Sequence, residues 1–156
     1  MVWQTQTVDS TGDVGEFSSI VLNSFVTLST IDSKSQSQGL LLKVQSGSIP
    51  NAGAISVTYD AKAKAVRVST LRLGQNGAWT LYPSQTATFA NGDVLGARAK
   101  ADGTVQIYKN GTLVTTITLN GADQAFFNSK GGKIGIWTAA APNAILDDFG
   151  GGTAAP

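Results

Sequence analysis

Two turn signals constrain this chain more than anything else in it: Asp102-Gly103 and Asn110-Gly111, each set between runs of β-branched and aromatic residues. Asp-Gly and Asn-Gly suit type I′ turns, whose central residues need positive φ and whose twist matches that of paired antiparallel strands. They predict a meander. Asn91-Gly92-Asp93 opens a strand through Lys100, Val105 to Lys109 returns, and Thr112 to Leu119 runs out again, with Leu113, Thr115, Ile117 and Leu119 on one face.

The same grammar covers the rest of the chain. Strands are expected at Phe25 to Ile31, at Gly39 to Gln45 (Leu40, Leu42 and Val44 on one face), at Ile55 to Tyr59, at Ala65 to Leu73 and at Ala78 to Tyr82. Asp60 to Lys64 and Gln75-Asn76-Gly77 turn the chain between them, and Lys133 to Thr138 and Ala144 to Phe149 close it. No window of eleven residues keeps a 3.6-residue apolar period. One helical turn is expected at Ala122 to Asn128, spanning an edge between sheets. About ten short strands at roughly 8–12-residue spacing are the pattern of an antiparallel sandwich or barrel.

With 156 residues there is enough chain for one such domain, 1–149. Residues 150–156, Gly-rich, read as a linker-like tail. No signal-peptide pattern follows Met1, so the expectation is a fragment of a larger protein, or export encoded elsewhere. Charged residues are only 13%, against roughly 25% in an average soluble domain. The surface must be covered by Ser, Thr, Asn, Gln and Gly, which suits an extracellular or cell-surface module. Net charge is +1 without a basic run, so no nucleic-acid footprint is present. No apolar stretch approaches the ~20 residues of a membrane helix, so membrane insertion by a helix is not expected.

Histidine and cysteine are both absent. That removes the commonest general base and the thiolate nucleophile and metal ligand together. Ser33-Lys34-Ser35 is the obvious Ser–Lys candidate, and a solvated loop is its simpler reading.

Four segments, in order, resemble one family. They are Asn91-Gly92-Asp93-Val94-Leu95-Gly96-Ala97-Arg98, the hairpin Asp102 to Gly111, Gly132-Lys133-Ile134-Gly135-Ile136-Trp137, and the closing Asp147-Asp148-Phe149-Gly150-Gly151-Gly152. Together they are similar to the concanavalin A-like (laminin-G-like) domains of large bacterial surface proteins. The resemblance implies an all-β fold, a two-sheet antiparallel jelly-roll sandwich with one concave sheet. It implies a role as a carbohydrate-binding or cell-adhesion module, or, in one branch, a glucanase. A self-associating structural surface or filament subunit is the alternative, and a divergent glycoside hydrolase a second. The family's opening strand has only Val2 to Val8 to supply it, and an incomplete opening would leave a sheet edge for another chain to pair with.

The glucanase branch uses a Glu-x-Asp-x-x-Glu strand, because alternate strand positions share a face and let two carboxylates flank a glycosidic bond. The chain has one glutamate, Glu16, and the nearest acid, Asp13, is three residues away. No enzyme is expected. The resemblance also implies a structural Ca²⁺ at the closing strand, with Asp147 and Asp148 from one end and Asp13, Glu16 and Asp9 from the other. The plainer reading leaves one aspartate in solvent and the other bonded to backbone N–H groups.

For glycan binding the expected residues are Trp79, Tyr82, Arg98, Tyr108 and Trp137, with Arg67 and Asn143 as polar company. Aromatic rings stack on the C–H faces of sugars while polar neighbours take the hydroxyls. Core packing competes for each ring, most of all for Trp137, which borders Ile134 and Ile136.

Overall fold

The computed structural model describes residues 21–45 and 53–153. Eleven strands and one helix follow in order: β1 Leu22–Thr30, β2 Ser37–Val44, β3 Ala54–Asp60, β4 Ala65–Leu71, β5 Thr80–Leu81, β6 Gln85–Thr86, β7 Asp93–Ala99, β8 Thr104–Lys109, β9 Thr112–Thr118, α1 Gly121–Phe127, β10 Lys133–Ala139 and β11 Ile145–Thr153. One sheet has five strands in the order β11-β1-β7-β8-β9; the other has six, β10-β2-β3-β4-β5, with β6 also pairing β4. Every pairing is antiparallel. The expected all-β jelly-roll sandwich is what forms.

The period-2 patterns decide what faces inward. Val26 and Leu28 on β1, Leu40 and Leu42 on β2, Val57 and Tyr59 on β3, Leu95 on β7 and Ile107 on β8 meet in one core between the sheets. Two β-bulges correct the expected faces. Lys43 sits at φ 50, so Val44 leaves the side of Leu40 and Leu42 and joins Leu41 in a small cluster on the outside of the six-stranded sheet. A register shift between Ile107 and Tyr108 puts Leu113 opposite Tyr108, half-exposed, and turns Val114 toward the core instead. The hairpins differ too. Asn110 and Gly111 both have positive φ, as type I′ requires, whereas at the other turn only Gly103 does. That turn is a three-residue loop closed by a left-handed glycine.

The Gly-rich end is strand rather than linker as far as Thr153. Gly150, Gly151 and Gly152 pair with Phe25, Ser24 and Asn23. The Phe25 ring lies over Gly150, and a Cβ on Gly151 would run into the Asn23 carbonyl oxygen. The expected strand Val2 to Val8 lies outside the described residues.

Helix α1 closes one end of the sandwich. Asn120 caps it, its side chain accepting from the Asp123 N–H at 2.8 Å. At the other end Lys43, fully buried, donates from Nζ to the Phe127 carbonyl at 2.9 Å, satisfying a helix-terminal acceptor. Burial lowers the Lys43 pKa from 10.5 to about 8. Between those values the unfolded chain holds the extra proton, so stability should rise with pH. Tyr82 has the opposite sign: burial, and then its bond to Asp123, raise its pKa from 10.0 to about 12. Above the unfolded value the unfolded chain sheds its proton first, and stability should fall. Urea midpoints are therefore expected to climb from neutral pH to a maximum near about pH 10 and then drop. A Lys43→Met variant should lose the climb and keep the drop; an unchanged climb in that variant would refute the assignment.

Candidate functional site

The outer face of the six-stranded sheet carries the candidate site. On β3 and β4, Ser56, Thr58, Arg67 and Ser69 alternate with the inward Val57, Tyr59, Val66 and Val68, and cross-strand pairing sets Ser56 beside Ser69 and Thr58 beside Arg67. The result is a floor of small hydroxyl side chains with one guanidinium. Arg67 is held by Asp60, Nη2 to Oδ2 at 3.9 Å. Asp60 is itself buried and fixes the following turn through the Ala63 N–H at 2.9 Å.

Two tryptophans wall this floor. Trp137 is on β10 at one edge of the sheet, and Trp79 immediately precedes β5 at the other. Strands in a sheet lie roughly 4.8 Å apart, yet the two ring centroids are 5.9 Å apart, tilted by 46°. Residues 72–79 therefore form an arm that folds back across the sheet. The rings cover Leu41, Val44 and Ala54, while Trp79, Trp137, Arg67, Ser56, Thr58 and Ser69 line an open groove of about 270 Å³. Both rings remain half-buried, so each is at once a lid on an apolar patch and a wall of the groove.

The arm is braced at its base. Gln75 accepts from the Arg72 N–H at 2.6 Å and donates to Thr80 Oγ1 at 3.2 Å, tying the two ends together. Beneath them lies Asp123, completely buried. It accepts from Thr70 Oγ1 at 2.6 Å, from Arg72 Nε at 2.7 Å and from the Tyr82 hydroxyl. One carboxylate on α1 thus grips the chain on both sides of Trp79.

The expected glycan-binding residues do not form one site. Trp79 and Trp137 meet, with Arg67 beside them. Tyr82 is turned to Asp123 and also accepts from the Asn120 N–H at 2.9 Å, so its hydroxyl serves the scaffold. Arg98 and Tyr108 lie on the outer face of the five-stranded sheet. Asn143 is exposed, and its N–H donates to Asp32. Ser35 is buried, its hydroxyl bonded to the Ala139 carbonyl at 3.0 Å, not solvated. The sequence reading missed Asp60, Asp123 and the hydroxyl floor; the alternation along β3 and β4 was the signal for the last of these.

Asp147 and Asp148 are both exposed, and the Asp148 N–H donates to Asp147 Oδ1 at 3.0 Å. Asp9, Asp13 and Glu16 lie outside the described residues. Among the described residues no group of three or more His, Cys, Asp or Glu comes together. Two exposed carboxylates supply only part of the roughly six to eight oxygens that Ca²⁺ takes.

No protein-family profile and no curated protein sequence matches the chain. Solved structures do. The chain superposes on carbohydrate binding module CBM66 from Bacillus subtilis with a TM-score of 0.62 at 17% identity, covering 85% of this chain and 74% of that one. Sheep galectin-11, in complex with glycerol, gives 0.58 at 10% identity, covering 95% and 96%. The Caenorhabditis elegans galectin LEC-6 gives 0.50 at 11%, covering 81% of each chain. At these identities the likeness establishes the fold, a jelly-roll sandwich of the concanavalin A-like type.

Proposed function

We propose that the protein is a non-catalytic, extracellular glycan-binding module and that its ligand lies in the groove over the six-stranded sheet. The observation that carries this is the arm. It brings Trp79 to Trp137 above a floor of Ser56, Thr58 and Ser69, where a purely structural cover would meet apolar side chains throughout. A pyranose ring presents a C–H face and a rim of hydroxyls. The indole faces take the first, and the hydroxyl floor and Arg67 take the second, the usual division of labour in a concave ligand site. The fold shared with a carbohydrate-binding module and with galectins supports the same reading. So does the chemistry of the groove: glycoside hydrolysis needs two carboxylates in register, whereas the described lining is hydroxyl, amide, aromatic, aliphatic and guanidinium, and Asp60, which pairs with the lining Arg67, is engaged with it and with the Ala63 N–H. A cell-surface or adhesive setting fits the low charge.

The test is an array of plant, algal and bacterial polysaccharides probed with the labelled protein, in calcium and in chelator. Saturable binding to one structural class of glycan is expected. Silence across the array in both conditions would refute the proposal.

A further inference from the structure

The opposite face of the sandwich carries a second feature that the six-stranded groove does not use. Cross-strand pairing aligns Gly150, Phe25, Gly96, Tyr108 and Leu113 in one row across all five strands of the other sheet. Its first four members alternate glycine and ring, and Leu113 ends it. Phe25 lies over Gly150, and Tyr108 leans on Gly96, its Cβ 3.3 Å from where a glycine Cβ would stand. Phe25 is 46% exposed and Leu113 49%, although Phe25 is on an interior strand of its sheet. The next outward row is polar: Asn23 pairs with Arg98, and Arg98 with Gln106. The Tyr108 hydroxyl donates to Gln106 at 2.9 Å, fixing the ring. Between Phe25 and Tyr108, over Gly96, lies a groove of about 360 Å³ bordered by Asn23 and Arg98.

We infer that this groove is a second glycan-binding site, taking an extended neutral oligosaccharide laid across the strands. Phe25 and Tyr108 are on strands two apart, about 10 Å, which is the spacing of alternate residues in an extended β-linked glycan. The glycine between them leaves room for the residue that bridges the two platforms, and the polar row runs alongside for the hydroxyl edge. A second copy of the chain fits less well. Two half-exposed apolar side chains and a partly buried tyrosine offer roughly 200 Å², well short of the ~800 Å² per partner of a stable interface. The ligand class follows the reading above, but the site is separate, and either face can fail alone.

Amide chemical shifts of the ¹⁵N-labelled full chain, titrated with cellohexaose, xylohexaose, mannohexaose and laminarihexaose, test this. At least one sugar should move the amides of Phe25, Gly96, Tyr108 and Gly111, and should still do so in a Trp79→Ala/Trp137→Ala double variant. Phe25→Thr should weaken that binding about tenfold. Gly96→Ala, which places a methyl on the groove floor, should weaken it as well, and well-dispersed spectra would confirm that both variants fold. Shifts confined to the six-stranded face would overturn the inference, as would none with any of the four sugars. Movement of these same amides with protein concentration alone would overturn it in favour of self-association.

Discussion

Replacing Asp123 with alanine is expected to cost about 3–5 kcal/mol of folding stability, the usual penalty for breaking a buried ionic network from one side. The carboxylate is completely buried and is the common acceptor for Thr70, Arg72 and Tyr82. Its removal leaves one cation and two hydroxyls facing an empty space where no water is assured. Domains of this size carry roughly 5–15 kcal/mol in all, so the variant should melt far earlier and populate unfolded chain at physiological temperature. The effect should reach the groove as well. Arg72 and Tyr82 flank the arm, and once released they no longer fix where Trp79 stands. Asp123→Asn separates the two consequences. It keeps the shape and can still accept from Thr70, but it loses the charge that orders Arg72. Chemical denaturation should place it between wild type and Asp123→Ala, with glycan affinity reduced more than stability. Equal stability of the wild type and Asp123→Ala would show that the network does not carry the arm.

Trp137→Ala should have the largest effect on binding. Removing a central aromatic platform typically costs 2 kcal/mol or more, about a 30-fold loss of affinity. Stability should fall much less, because Trp137 is half-buried and covers Leu41 from outside the main core. The prediction is a separation: a large loss measured by calorimetric titration with a small shift in melting temperature. Tyr82→Phe is the contrasting variant. It removes a hydroxyl that the scaffold uses but leaves Arg72 tying the arm to Asp123, so it should lower stability clearly and reduce affinity far less than Trp137→Ala does.

Much of the fold was legible because local chemistry specifies it. Asn110-Gly111 set its hairpin, the alternation of Ile55, Val57 and Tyr59 set the inner face of β3, and the helix formed within one residue of its expected start. The misplaced faces have one cause. At Lys43 and at the Ile107–Tyr108 shift an extra residue enters the ladder, and every position beyond it changes side. Composition does not announce such a bulge. The glycines at 150–152 misled for a related reason: a glycine kept so that Phe25 can lie across it looks, in sequence, like a glycine kept for flexibility.

The candidate site was legible only in its parts. Trp79, Trp137 and Arg67 were each visible as residues able to hold a sugar. Their meeting depends on an arm crossing a sheet, and the arm depends on Asp123, which lies 51 residues beyond Arg72. Arg98 and Tyr108 were visible as sugar-binding candidates too, but which sheet's outer face carries them is settled by β1 entering between β11 and β7. Non-local pairing of that kind leaves no local mark.

Tryptophan emission reports on the groove directly. The chain has three tryptophans, and a Trp3→Phe variant leaves Trp79 and Trp137 as the only reporters. Titrated with the polysaccharide that scores on the array, that variant should show a saturable change in emission, with an affinity matching calorimetry. The change and most of the affinity should both be lost once Trp137→Ala is added. A glycan that binds without altering the emission, and binds equally well without Trp137, would contradict the placing of its site in the six-stranded groove and leave only the opposite face to hold it.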